Sequence, residues 1–260
     1  EAMEMKTLWI AVLGAAVGIG GTVATLNRGA AAAEECKTGC KTRPPAAAGA
    51  CPAHFEKGKL VVTDVSEAER LRTSLMDGVL TLWVELGRAP TPEEIGRRLK
   101  LDAPATSALL DKLEACGDSA TFGVLRVPQS DLIAVAWPFA NVPTGIQVTL
   151  EGKKTVHARC AVDALGVSKM MGSKAVVEAI TRDGVALRLE VDGDRLVSAT
   201  PANAVVFKGG SCDEMLFFSS QAALDAWKSA HGAMGSALQL EEAVKHGAEF
   251  FGRFALPIRG

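Results

Sequence analysis

The segment Trp137–Pro138–Phe139–Ala140–Asn141–Val142–Pro143–Thr144 constrains the fold more than any other stretch of the 260-residue chain. A proline has no amide hydrogen to donate and holds its own φ fixed, so Pro138 and Pro143 together interrupt any helix or strand ladder. Before this break, apolar residues recur at the spacing of helices. After it they alternate as in strands, with shorter helical runs between. The expectation is an α+β protein: a winged-helix-like helical module at 61–136, then a second domain at 137–260 built as a mixed or antiparallel sheet with flanking helices.

Leu71, Leu75, Val79, Leu82 and Leu86 share one face of a helix predicted over Val65–Leu86, and Gly87 supplies its stop. Thr91 followed by Pro92 reads as the cap and first turn of a second helix, with Ile95 and Leu99 inward. A third opens at Asp102 or Ala103 and carries Leu109, Leu110 and Leu113. Two short strands, 122–127 and 132–136, complete a winged helix-turn-helix pattern. It is a poor DNA reader, because the third helix offers Ala105, Thr106, Ser107, Ala108, Asp111 and Lys112 where base edges call for Arg, Lys, Asn or Gln. Lys+Arg 28 against Asp+Glu 30 leaves a net charge of -2, so nucleic acid is not an expected partner.

Ahead of this body, residues 8–26 are apolar and uncharged. That is close to the ~20 residues a bilayer-spanning helix needs, and longer than the ~7–15 of a usual signal core. Residues 1–33 therefore read as an apolar helix serving as signal or membrane anchor. A cytoplasmic body behind an anchor and an exported body both remain open. Residues 34–60 form a Cys-, Pro- and Ala-rich connector without periodicity, expected to be mobile. Cys36, Cys40 and Cys51 there could capture a thiophilic ion, and a disulfide with one leftover thiol accounts for them equally well.

Beyond the break, strands are predicted at 146–150 and 155–159, so Cys160 sits where a strand gives way to a helix running from Ala161 to about Met170. Further strands follow at 175–182, 185–191, 204–207 and 215–218. A helix capped by Ser219 or Ser220 comes next, and a last helix at 240–254 has Ala243, Gly247, Phe250 and Phe251 inward. Cys160 and Asp163, three residues apart, share a helical face. A thiolate is a ligand for soft metals, and a half-buried carboxyl can hold a proton at neutral pH. A buried cysteine is also often only a small hydrophobe, which is the reading given to Cys116.

The segments Trp137–Thr144, Arg159–Cys160–Ala161–Val162–Asp163–Ala164–Leu165–Gly166 and Ser211–Phe218, with Trp227 downstream, resemble the organomercurial (alkylmercury) lyase family over about 65–251. The resemblance implies that 137–260 is a catalytic domain for carbon–mercury bond cleavage with Cys160, Cys212 and Asp163 as catalytic residues, Cys160 and Cys212 holding the mercury. It further implies that mercury enters as substrate and leaves as product, that no cofactor is required, and that cellular thiols or a mercuric reductase accept the Hg(II). Arg159, where many members carry an aromatic residue, and Asp213, where some carry a second cysteine, depart from the family pattern. A guanidinium at 159 is expected to lower the pKa of Cys160. The alternative is a non-catalytic binder or carrier of thiophilic metal on the same scaffold, with the Cys36, Cys40 and Cys51 tail as its main site.

Overall fold

Two prolines do not stop Phe139 and Ala140 from pairing, and that pairing ties the two halves of the chain into one sheet. The computed structural model describes residues 51–56, 59–116 and 123–255. The apolar segment 8–26, Cys36 and Cys40 lie outside the described residues. Among the described residues no helix is long and apolar enough to cross a membrane.

The last part of the expected connector is paired strand: β1 (Ala53–Glu56) runs antiparallel to β2 (Lys59–Val62). Cys51, just before β1, forms a disulfide with Cys116. This corrects the metal reading of Cys51 and adds a partner to the buried Cys116. Cys51 is not a free donor to share a metal with Cys36 and Cys40. Cys116 is buried as expected, but as half of a crosslink.

The helix predicted over 65–86 is α1 (Val65–Leu75), a π-helical turn (Met76–Leu80) and α2 (Thr81–Leu86) in continuous succession. Gly87 ends it in the left-handed region with φ 73°. Thr91 caps α3 (Pro92–Leu99) in a reciprocal capping box with Glu94, and Asp102 caps α4 (Ala103–Ala115). Then come β3 (Val124–Arg126) and β4 (Ile133–Ala136). The sequence sets these two strands apart as a ribbon of the helical module. In the structure β4 pairs onward with β5 (Phe139–Ala140), which pairs with β7 (Thr155–Ala158).

The resulting sheet has eight strands in the order β10-β9-β8-β6-β7-β5-β4-β3. It adds β6 (Ile146–Leu150), β8 (Ala175–Ile180), β9 (Ala186–Asp192) and β10 (Arg195–Thr200). Every pairing within it is antiparallel. Strand β10 is largely exposed and was not legible as a strand, because its alternation is weak. A second sheet sets β11 (Val205–Lys208) between β12 (Met215–Phe218) and β13 (Ser236–Gln239), again antiparallel.

Helix α5 (Ala161–Met171) is buried along nearly its whole length between the large sheet and α7 (Leu240–Gly252). The two helices meet at glycines. A Cβ on Gly166 would lie 2.6 Å from the Gly247 carbonyl oxygen and 2.4 Å from the Phe251 ring, and one on Gly247 would lie 2.8 Å from the Val162 carbonyl oxygen. Phe251 is buried there as expected, whereas Phe250, expected inward, is 39% exposed. The core continues into the helical half through Trp83 and Phe139, both buried, with ring centroids 5.9 Å apart. A smaller cluster of Val205, Phe207, Phe218 and Leu224 lies between the second sheet and α6 (Gln221–His231), with Trp227 against it.

Candidate active site

Residues of the proline-flanked segment fix the place where β7 turns into α5. Phe139 pairs with Ala158 and Ala140 with His157. The Arg159 amide donates to the Pro138 carbonyl at 3.0 Å, and the Thr144 hydroxyl donates to the Ala158 carbonyl at 2.6 Å. The strand is thereby held from two sides up to the residue before Cys160. Cys160 is the N-cap of α5, with extended φ/ψ of -145° and 176°, and its sulfur accepts from the Asp163 amide at 3.4 Å. One residue thus starts the helix and points a sulfur at its first turn.

Cys212 arrives from the other sheet. It opens a single 3-10 turn, Cys212–Glu214, between β11 and β12. Ser211 and Glu214 cap that turn reciprocally, and the Glu214 carboxylate accepts from the amides of Gly210 (2.6 Å) and Ser211 (3.2 Å). The Cys212 thiol donates to Asp163 Oδ2 at 3.2 Å. The sulfurs of Cys160 and Cys212 and a carboxylate oxygen of Asp163 all lie within 4.8 Å of one another. Cys160 is 2% and Asp163 5% exposed, while Cys212 is partly open.

Electrostatics follow from that burial. Burial pushes the Asp163 carboxyl up to about 6, against the opposing pull of the thiol hydrogen bonds from Cys212 and Cys160 and of the Arg159 charge. The Cys160 thiol is held well above its ordinary range, first by burial and then by Cys212 and the Asp163 charge. The net shift of Cys160 is thus upward, opposite to the lowering the sequence suggested from Arg159, which is not among its main causes. The Arg159 guanidinium reaches Asp213 at 3.4 Å, and its carbon sits 5.0 Å from the Trp137 ring centroid. At pH 7 the pocket holds a neutral Cys160 thiol beside a carboxyl close to its own titration point. That combination suits thiol exchange on a soft metal and short-range proton transfer.

All three residues named from the sequence as catalytic are brought together. Trp137 and Glu214 were not singled out as supports. The Ser–x–x–Glu spacing at 211–214 was a readable signal for Glu214. Nothing in the sequence pointed to Trp137 as the platform for Arg159.

Comparison with known proteins bears on this arrangement. Residues 139–252 match the family model described as MerB: Alkylmercury lyase, a span holding Cys160, Asp163 and Cys212. An alkylmercury lyase of Bacillus cereus is 32% identical over 117 residues, covering 41% of this chain and 53% of the relative. One of Staphylococcus epidermidis is 29% identical over 131 residues, covering 46% and 60%. The chain thus spans little more than half the length of these curated relatives. A solved structure titled as the mercury-bound form of MerB2 aligns over 72% of this chain and 92% of its own, with a TM-score of 0.57 and 18% identity. That likeness is one of fold, a mixed α+β arrangement with antiparallel sheets. The family-model match thus covers the sheet half from Phe139 onward, and the helical half, which the sequence reading included from near Val65, lies outside that match.

Proposed function

We propose that this protein cleaves the carbon–mercury bond of organomercurials by protonolysis, yielding a hydrocarbon and Hg(II). The observation that carries the reading is the convergence of two thiols and one proton-holding carboxyl within 4.8 Å, two of the three residues being buried. Cys212, the more open thiol, meets the substrate first and displaces the small thiol carried on mercury. Cys160 then adds a second sulfur, which raises electron density in the carbon–mercury bond. The two cysteine thiols release two protons. One leaves with the displaced small thiol and the other passes through Asp163 to the carbon, whose bonding pair to mercury becomes the new C–H bond. Hg(II) remains as a bis-thiolate until two external thiols or a mercuric reductase remove it.

Mercury is the substrate and supplies its own electrophile, so the reading asks for no resident cofactor. The helical half is read as a winged-helix-like support for the sheet half. A non-catalytic metal carrier on this scaffold is the weaker reading, because its tail site has lost Cys51 to the bond with Cys116. Incubation with methylmercury and excess thiol tests the proposal. Methane is expected, and Cys160→Ser should abolish it. Mercury retention without methane from the unaltered protein would favour the carrier.

A further inference from the structure

The two departures from the family pattern face each other. Arg159 immediately precedes Cys160 and Asp213 immediately follows Cys212, and their side chains meet at 3.4 Å although they lie 54 positions apart. The guanidinium also lies over the Trp137 ring, and the Arg159 amide is bound to the Pro138 carbonyl. The Arg159 side chain is 26% exposed and that of Asp213 76%, so the pair forms the rim of the site while Cys160 and Asp163 form its floor.

We propose that Arg159 and Asp213 are positioning residues that act as one latch, holding the Cys212 turn against the N-terminus of α5 so that both sulfurs bind a single mercury atom together. The inference rests on reading the trio as a mercury site, but not on turnover. Cys160 is fixed by the strand–helix junction. Cys212 sits on a three-residue turn whose own ties are to Glu214, within the same loop. The Arg159–Asp213 contact is the rim interaction that joins that turn to the Cys160 segment, alongside the thiol–carboxylate bond inside. A second sulfur strengthens mercury binding in proportion to its effective concentration near the first, so loosening the turn weakens the two-sulfur grip and leaves one-sulfur capture intact. An exposed ion pair is weak, but here it is stacked on an indole and its effect is read through chelation.

The test measures Hg(II) retention by the full chain, as the concentration of a small dithiol needed to strip the ion. Arg159→Ala and Asp213→Ala are each expected to lower that concentration by roughly 3- to 10-fold. The double variant should lose no more than either single one, and the exchanged pair Arg159→Asp with Asp213→Arg should recover part of the loss. In a Cys212→Ser background, where only one sulfur remains, Arg159→Ala should leave methylmercury binding unchanged. Additive losses, or an equal loss in the Cys212→Ser background, would overturn the latch and assign Arg159 an effect on Cys160 or on folding. The exchanged pair keeps the test valid if a single variant folds poorly. A wild-type chain that grips Hg(II) through both sulfurs yet releases no methane would refute the lyase reading and leave this one standing.

Discussion

The carboxylate of Asp163 accepts a hydrogen bond from the Cys212 thiol at 3.2 Å across 49 positions of sequence, joining the first turn of α5 to a loop of the second sheet. Asp163 is also bound at its amide to the Cys160 sulfur, so one residue touches both thiols. The chemistry proposed needs a proton acceptor and donor in that location. Three features bear on that location: the pH, the helix crossing beneath the site and a distant crosslink.

The first concerns pH. Asp163 titrates near 6 in the folded chain, so its proton-accepting form declines as pH falls through 6. Single-turnover methane release at saturating methylmercury is expected to drop about tenfold per pH unit below that point. The sign for stability is opposite to that of an ordinary carboxylate. The folded state holds the proton up to about 6 and the unfolded chain releases it near 3.8, so stability falls as pH rises through that window. The slope amounts to about 3 kcal/mol at most over the window. Denaturant melts of wild type and Asp163→Asn between pH 4 and pH 7 (about neutral) should differ by this slope, the variant lacking it.

The second concerns the helix crossing beneath the site. Gly247→Ala puts a methyl group 2.8 Å from the Val162 carbonyl oxygen and forces α7 away from α5. A loss of about 1–3 kcal/mol is expected in chemical denaturation. Because α5 carries Cys160 and Asp163, methane release should fall as well, even below the melting transition.

The third concerns the crosslink. Cys51 and Cys116 are 65 positions apart, and closing a loop of that size stabilises the folded state by about 4 kcal/mol at most. Replacing both by Ser should lower the thermal midpoint without abolishing methane release at temperatures where the variant is folded. Loss of activity in a folded variant would mean that this pair takes part in the chemistry.

Much of this architecture could be read from the residues. Thr91 and Asp102 announced their helices because a capping side chain has one local job. The Cys160–Asp163 spacing placed both groups on one face because a helix repeats every 3.6 residues. What sequence could not show depends on contacts between distant segments. Phe139–Ala140 looked like a gap because two prolines flank it, yet two residues are enough to pair with strands on both sides. Arg159 was assigned an effect on its neighbour Cys160, whereas its partners are Asp213 and Trp137, set by how the loops fold together. Cys51 and Cys116 had no local signal of pairing, since a disulfide is decided by where two Cα atoms end up, here 5.0 Å apart.

The most direct test of the central claim separates mercury capture from proton delivery. Asp163→Asn keeps the shape of the side chain and both cysteines but cannot shuttle a proton as a carboxyl does. With stoichiometric methylmercury and no external thiol, this variant is expected to hold mercury on its cysteines while releasing methane roughly 100-fold more slowly than wild type, or slower still. Methane at the wild-type rate from Asp163→Asn would contradict the account, because the proton would then reach carbon without the residue on which the mechanism turns.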